Sequence, residues 1–280
     1  MHSSRWSLAS ALDCEGGIVA DVTSHSIGTF SWPELATTDQ KAGVSFYRAL
    51  LGWDLNEVPL GPGEVYSMFQ VRGKEVAAAC TLRPDERQMG VPPHWNSYVT
   101  VKNVDESAAK AQQLGGKVLA APFDVMDAGR MAVLQDPTGA VFQIWEPKRS
   151  IGAKILNEPG ALCWTELTTS DPKAAETFYT QLFGWTAKHS AAGAPMEYTE
   201  FSVGGTPSIG MMPKPPQMPA HIPSYWMPYF QVTKVDHSAS KVKELGGKLM
   251  VGPQDIPNTG RFAIGTDPQG AMFAIFEFRS

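Results

Sequence analysis

One long segment of this chain occurs twice, and that repetition limits the fold more than any other feature. Gly28 to Trp53, GTFSWPELATTDQKAGVSFYRALLGW, returns as Gly160 to Trp185, GALCWTELTTSDPKAAETFYTQLFGW. Trp32, Glu34, Leu35, Asp39, Phe46, Tyr47, Gly52 and Trp53 reappear as Trp164, Glu166, Leu167, Asp171, Phe178, Tyr179, Gly184 and Trp185, each 132 positions on. Self-similarity over this length means that one structural unit has been used again. Each copy reads as a short strand, a turn and an amphipathic helix. Asp39 and Asp171 are placed to cap the helix, because a short carboxylate accepts the free amides of a first turn. Gly52 and Gly184 are placed to end it.

Beyond the helix each half shows more strands and then a second strand and helix. In the first half the strands are Trp53–Val58, Val65–Arg72 and Glu75–Leu82, and Arg83–Pro93 is a connector. Trp95–Val101 is a strand and Val104–Leu114 a helix ended by Gly115-Gly116. Lys117–Ala121, Gly129–Gln135 and Ala140–Glu146 are strands, with a tight turn at Asp136-Pro-Thr-Gly139. The second half repeats these pieces: Leu245-Gly-Gly-Lys248 matches Leu114-Gly-Gly-Lys117, Gly260-Arg261 matches Gly129-Arg130, and Asp267-Pro-Gln-Gly270 matches the first turn. The reading is an α+β protein of four βαβββ units. Its segments are a poorly ordered arm over 1–27, a domain over 28–150, a linker over 151–159 and a domain over 160–280.

The 280 residues are 43% hydrophobic and 18% charged, as expected of globular domains. With a net charge of −5 and no run of Lys or Arg, the chain is not expected to bind nucleic acid. No apolar run reaches the ~20 residues of a membrane span, and the N-terminus is a poor signal peptide. Three cysteines do not form a disulfide framework. Cys80 and Cys163 read as core thiols and Cys14 as part of a mobile tail, so the expected setting is cytoplasmic.

The unit resembles the vicinal oxygen chelate superfamily, which includes glyoxalase I, bleomycin-resistance proteins and extradiol dioxygenases. The residues that carry the likeness are Phe46-Tyr47 with Gly52-Trp53, the Leu-Gly-Gly after the second helix, and the Asp-Pro-x-Gly turn. It is similar above all to a tandem two-domain actinobacterial subgroup, described as glyoxalase- or hydroxylase-like, that includes a mycobacterial culture-filtrate antigen. The resemblance implies two domains, each with two units forming a curved mixed sheet around a cup.

Metal-dependent members hold a cation with His or Glu on the first strand of each unit and a carboxylate on the last. Carried over residue by residue, those positions are Trp32, Asn96 and Gln143 in the first half and Trp164, Met227 and Ala274 in the second. Indole offers a metal no lone pair, and the rest are poor donors. The expectation is no metal and no cofactor, with a divalent metal at a shifted site near Glu34 or Glu166 as the alternative.

Alternate side chains of a strand share a face. Trp32, Glu34, Asn96, Tyr98, Gln143 and Trp145 then line the first cup, and Trp164, Glu166, Tyr229 and Gln231 the second. These ten are the candidate ligand-binding residues, since an aromatic wall with sparse polar anchors suits a small molecule. Glu34 and Glu166 are also the candidate catalytic residues. Each admits three readings: a base with a raised pKa, a ligand anchor, or a structural carboxylate paired with Arg130, Arg261 or backbone amides. Glu146 and Glu277 are expected to face solvent.

Three functions remain open. The first is a binder of a small aromatic or dicarbonyl-type molecule without the family metal. The second is a metal-dependent lyase or dioxygenase, and the third a structural or interaction module with a vestigial cup. Expected partners are a small molecule but neither nucleic acid nor membrane, with the chain a monomeric pseudo-dimer or a homodimer.

Overall fold

The computed structural model describes residues 22–191, 196–219 and 221–279. The first unit runs β1 (Phe30–Thr37), α1 (Gln40–Leu51), β2 (Asp54–Gly61), β3 (Glu64–Val71) and β4 (Lys74–Thr81). The connector holds a short helix that the pattern did not announce, α2 (Pro84–Gln88). The second unit is β5 (His94–Thr100), α3 (Val104–Gln113), β6 (Lys117–Val125), β7 (Gly129–Gln135) and β8 (Val141–Pro147). The third is β9 (Leu162–Thr169), α4 (Pro172–Phe183), β10 (Thr186–His189), β11 (Thr199–Val203) and β12 (Thr206–Pro213). The fourth is β13 (Tyr225–Gln231), α5 (Val235–Glu244), β14 (Lys248–Ile256), β15 (Gly260–Thr266) and β16 (Met272–Phe278). No helix among the described residues is long and apolar enough to cross a membrane.

The local chemistry is the expected one. Asp39 accepts the Ala42 amide and Asp171 the Ala174 amide, each at 3.0 Å. Gly52 and Gly184 close their helices in the left-handed region, both at φ 73. Two eight-stranded mixed sheets result, in the orders β2-β3-β4-β1-β5-β8-β7-β6 and β10-β11-β12-β9-β13-β16-β15-β14. At the centre of each, the opening strands of two units pair antiparallel, β1 with β5 and β9 with β13. Each opening strand also pairs in parallel with the last strand of its own unit.

The helices lie outside each cup, as expected, but not outside the molecule. One core joins Val99, Ala108, Leu134 and Phe142 of the second unit to Phe178, Tyr179, Trp185 and Trp226 around the third. The other joins Leu35, Phe46, Tyr47 and Trp53 of the first unit to Phe230, Val235, Phe273 and Ile275 of the fourth. The two sheets therefore share their convex cores and turn their cups away from each other.

Hydrogen bonds lock this arrangement. Tyr179 donates to Asp136 Oδ2 at 3.0 Å and receives Trp226 Nε1 at 2.8 Å. The other Asp136 oxygen accepts the Thr138 and Ala140 amides and the Thr138 hydroxyl. The mirrored set is Tyr47, which receives Trp95 Nε1 at 3.0 Å and faces Asp267. Burial pushes the Asp136 and Asp267 carboxyls up from their ordinary range, against these hydrogen bonds. Trp53 Nε1 reaches Gly160 O at 2.6 Å and Trp185 Nε1 reaches Gly28 O at 2.9 Å. Both glycines sit at positive φ, 86 and 89, and a Cβ on Gly28 would stand 3.1 Å from the Trp185 nitrogen. That contact explains why both copies of the repeat begin with glycine.

The segments around the repeat depart from the reading. Cys14 lies outside the described residues, as does most of the N-terminal arm. The part of the arm from residue 22 to 27 is tied down: Val22 N donates to Lys154 O at 3.2 Å, and His25 Nε2 is 2.8 Å from Ala153 O. The linker lies against the first domain as a strap. Ala153 N donates to Ser31 O at 2.7 Å and Lys154 N to Glu75 O at 2.8 Å, which lays Ala153 over the first cup.

Replacing Tyr179 with Phe leaves Asp136 Oδ2 and Trp226 Nε1 without their shared partner inside the core. The expected loss is roughly 2–4 kcal/mol of unfolding free energy, since each stranded buried group costs ~1–3 kcal/mol. Urea denaturation measures it, and a variant as stable as wild type shows that this lock contributes nothing.

Candidate functional site

Strand β1 is buried along almost its whole length because it has a core on one face and a cup on the other. Leu35 goes to the convex core, while Trp32 lies in the cup with Tyr98, Met131, Trp145 and Ala153. Glu34 points to the same side as Trp32. Register then brings the neighbours together: β1 sets Trp32 opposite Tyr98 and Glu34 opposite Asn96, and β5 sets Tyr98 beside Gln143 of β8.

Both Glu34 oxygens accept hydrogen bonds from side chains. Tyr66 donates to Oε2 at 2.6 Å, Tyr98 to Oε1 at 3.0 Å and Asn96 Nδ2 to Oε1 at 3.3 Å. Trp32 Nε1 donates to the Tyr66 oxygen at 3.1 Å. Gln143 Nε2 donates to Asn96 Oδ1 at 2.6 Å, and His94 Nε2 lies 3.2 Å from that oxygen. Gln143 is only 3% exposed and its Oε1 has no partner. Burial first, and then the charge of Glu34, hold the Tyr66 and Tyr98 hydroxyls well above the ordinary tyrosine range. They remain donors at any physiological pH.

Trp145 forms an edge-to-face pair with Tyr98 and turns its Nε1 to Ser150 O at 2.9 Å, under the strap. The strap closes this deep end. At the other end Glu34, Cys80, His94 and Asn96 are half-buried and Val141 is 40% exposed, so the cup opens there.

The second cup repeats the first in part. Tyr198 donates to Glu166 Oε2 at 2.9 Å, Tyr229 to Oε1 at 2.7 Å, and Trp164 Nε1 to the Tyr198 oxygen at 3.1 Å. Glu166 is 6% exposed. Burial raises its pKa above the ordinary value, with the bonds from Tyr229 and Tyr198 opposing. Opposite Glu166 stands Met227, where the first cup has Asn96, and beside Tyr229 stands Ala274, where it has Gln143. Gln231 lies at the far end of β13, its backbone paired with Gly160 and Ala161, and no side-chain hydrogen bond joins it to Glu166. Two surface grooves of about 410 and 390 Å3 run along α4 and touch neither carboxylate cluster.

Several expectations need correction. Arg130 pairs with Asp105 and Asp124, and Arg261 with Asp236 and Asp255, so neither reaches Glu34 or Glu166. Glu146 and Glu277 do not simply face solvent. Glu146 Oε2 accepts the Val104 amide and Glu277 Oε2 the Val235 amide, each at 2.9 Å, at the first turns of α3 and α5. Cys80 is not a core thiol: it is half-buried in the first cup, where burial and the Glu34 charge push its pKa up. Cys163 is buried. The sequence reading missed Tyr66, Tyr198 and His94. The tyrosines keep the same 132-residue offset as the rest of the repeat, so the offset could have found them.

The donor set does not fit a divalent ion at the positions carried over from the resemblance. Trp32 turns an N–H toward its neighbours, Met227 and Ala274 offer no hard donor, and both Glu34 oxygens already accept hydrogen bonds. Among the described residues no three of His, Cys, Asp and Glu gather where they could hold a metal.

The sequence model of the Glyoxalase/Bleomycin resistance protein/Dioxygenase superfamily matches residues 29–144 and again 161–275. The protein named "Putative glyoxylase CFP32" of Mycobacterium tuberculosis is 41% identical over 251 residues, covering 89% of this chain and 95% of that protein. The anthracycline biosynthesis protein DnrV of Streptomyces peucetius is 30% identical over 272 residues, covering 92% and 96%. Among solved structures, the 2,3-dioxygenase LapB of Pseudomonas sp. KL28 superimposes with a TM-score of 0.61 at 14% identity, over 91% of this chain and 94% of its own. The Mn(II)-bound glyoxalase of Novosphingobium aromaticivorans gives 0.61 at 16%, over 90% and 82%. At such identities these two structures establish the fold alone.

The raised pKa of Glu166 fixes the sign of a pH effect. A carboxyl raised on folding favours the native state below its unfolded value, near 4.5, and that contribution is lost as pH rises through the folded value. The stability of wild type relative to Glu166→Gln should therefore fall as pH rises from 4 to 8, by at most about 1.4 kcal/mol per pH unit. Paired urea titrations measure it. A difference that stays flat or rises removes the raised carboxyl from the account.

Proposed function

The chain belongs to the Glyoxalase/Bleomycin resistance protein/Dioxygenase superfamily, and on that premise we propose that the first cup binds a small aromatic or dicarbonyl-type molecule without the superfamily's usual metal. The observation that carries this reading is the carbonyl of Gln143. A buried amide oxygen without a partner costs ~1–3 kcal/mol, and this one is oriented by the whole network. Asn96 must give its N–H to Glu34, so its oxygen meets Gln143, so Gln143 gives its N–H and turns its own oxygen free. A ligand hydroxyl or N–H meets that oxygen, while Trp32, Tyr98 and Trp145 supply the apolar wall.

The second cup does not repeat this anchor in place, because Met227 and Ala274 stand where the two amides are and both Glu166 oxygens are bonded to tyrosine; its own buried amide oxygen without a partner, Gln231 Oε1, lies at the far end of β13. Glu34 then acts by holding Tyr98 and Asn96, and Glu166 by holding Tyr198 and Tyr229, rather than as bases. One similar protein is named as a glyoxylase and another for anthracycline biosynthesis. Those names recommend dicarbonyls and planar hydroxylated aromatics as the first compounds to try. We read the chain further as a pseudo-dimer of two halves acting in a reducing, cytoplasmic setting on a small molecule.

A thermal-shift screen of such compounds tests the reading, since a ligand of the native state raises its apparent stability. Gln143→Leu should weaken a hit by about tenfold or more and leave the unliganded protein about as stable, because the bond lost to Asn96 Oδ1, which His94 still faces, is offset by removal of an unmatched buried carbonyl. A hit that binds both proteins equally sinks the anchor. Metal analysis decides the competing enzyme reading: about one Zn, Ni, Fe or Mn per chain, lost in Glu34→Gln, would establish a metal site built around Glu34.

A further inference from the structure

The two cups differ at one end. In the first the strap crosses it: Ala153 and Leu156 belong to the cluster that holds Trp32, Met131 and Trp145, and those three side chains are buried. The cluster of the second cup is made of strand residues alone, and among the described residues no part of the linker or the arm joins it. Trp164 and Phe262, the counterparts of Trp32 and Met131, are half-buried there, as is Phe278.

Register gives the row of side chains at that uncovered end. Gln231 of β13 lies beside Phe276 of β16, Phe276 lies opposite Phe262 of β15, and Phe262 opposite Gln254 of β14. Phe230 and Val232 go into the convex core, so Gln231 between them points into the cup with Tyr229. The Phe276 ring fills room that Gly260 leaves, where a Cβ would stand 2.7 Å from its Cζ, and it pairs with Phe278 at 4.7 Å between centroids. Together they make a shelf of phenyl rings with one amide at its edge.

The polar groups of this row are matched in the first cup and unmatched in the second. In the first, Thr100 donates to Ser31 Oγ at 2.7 Å, and Trp145 Nε1 donates to Ser150 O of the strap at 2.9 Å. In the second, Gln231 stands for Thr100, Phe276 for Trp145 and Cys163 for Ser31, and the Cys163 thiol turns to Tyr229 O. Gln231 Oε1 is left buried without a partner. Such an oxygen is costly until a donor meets it. Met227, one of the positions carried over from the superfamily's metal ligands, lies four residues back along β13, about 13 Å at 3.3 Å per residue. The row of Gln231 is therefore a different place from the metal position.

We propose that this end of the second cup is a binding site of its own, for a flat fused-ring aromatic that carries a hydroxyl or N–H donor at its edge. The rings of the ligand lie on Phe262, Phe276 and Phe278, where offset and edge contacts between aromatic groups add to the area buried. The donor meets Gln231 Oε1. The ligand enters by the end that the strap closes in the first cup, so the two cups load from opposite ends. The two sites share no residue, and each stands or falls alone.

The test titrates 2-naphthol, which has a donor, and 2-methoxynaphthalene, which has the same rings and none. Methyl resonances report on each cup separately: Met227, Ile264 and Met272 for the second, Met68 and Met131 for the first. In wild type 2-naphthol should shift the second-cup methyls and bind there about tenfold more tightly than 2-methoxynaphthalene, the worth of one matched hydrogen bond. In Gln231→Leu the two probes should bind alike. If that variant does not fold, Gln231→Thr takes its place, because the first half carries Thr at this position and the shorter side chain should level the two probes in the same way. Second-cup methyls that stay fixed up to the solubility limit of 2-naphthol overturn the site. Equal binding of the two probes in wild type, or a preference for the hydroxyl that survives in Gln231→Leu, overturns it as well. So does a dependence of those methyls on protein concentration without any probe, the mark of a face covered by a second copy of the chain. Shifts confined to the first-cup methyls keep the first-cup reading and remove this site; shifts confined to the second-cup methyls do the opposite.

Discussion

Each sheet of this protein leaves its convex face apolar, and each covers the other's. Phe178 and Tyr179 of α4 pack on strands of the first sheet, and Phe46 and Tyr47 of α1 pack on strands of the second. The cores form between units that are not consecutive in either half, the second with the third and the first with the fourth. A half on its own would expose one side of both cores to water. Because burial of apolar area is the main favourable term in folding, the shared faces are what make the two cups possible at all.

The locks across those faces follow the same logic at the level of single atoms. The turn Asp136-Pro-Thr-Gly139 must bury a carboxylate to satisfy its own amides, and Tyr179 from the other half brings the remaining donor. Buried polar groups are tolerated where every one is bonded. The repeat sets the same groups together a second time, Tyr47 facing Asp267, but there the Asp267 Oδ2 atom is buried without a hydrogen-bond partner, so the lock closes fully only at Asp136.

On the cup side the same rule gives a different result. A carboxylate on the central strand of a sheet needs donors, and here phenols and an amide supply them. With its oxygens occupied, Glu34 organises its neighbours. The two cups diverge at three places in register, His94, Asn96 and Gln143 against Tyr225, Met227 and Ala274, and that difference gives the first an imidazole and two amides where the second has one phenol and two apolar side chains.

What the sequence alone determined is the part that local chemistry and periodicity control. The doubled segment announced two halves and the strand–helix–strands pattern within each announced four units, Asp39 and Gly52 marked the helix ends, and strand alternation put Trp32, Glu34, Asn96, Tyr98 and Gln143 on one face. These follow from caps, turns and a period of two, which are written in neighbouring residues. Tertiary structure alone decided who meets whom across the sheet. It gave Glu34 to Tyr66 and Glu166 to Tyr198, where the reading had offered arginines. It sent Arg130 to Asp105, turned Glu146 to the start of α3, and folded residues 150–156 over the first cup. Partners such as these are separated by tens of residues, and their meeting depends on register and sheet order. No local pattern encodes those, so the sequence named the groups and the fold chose their bonds.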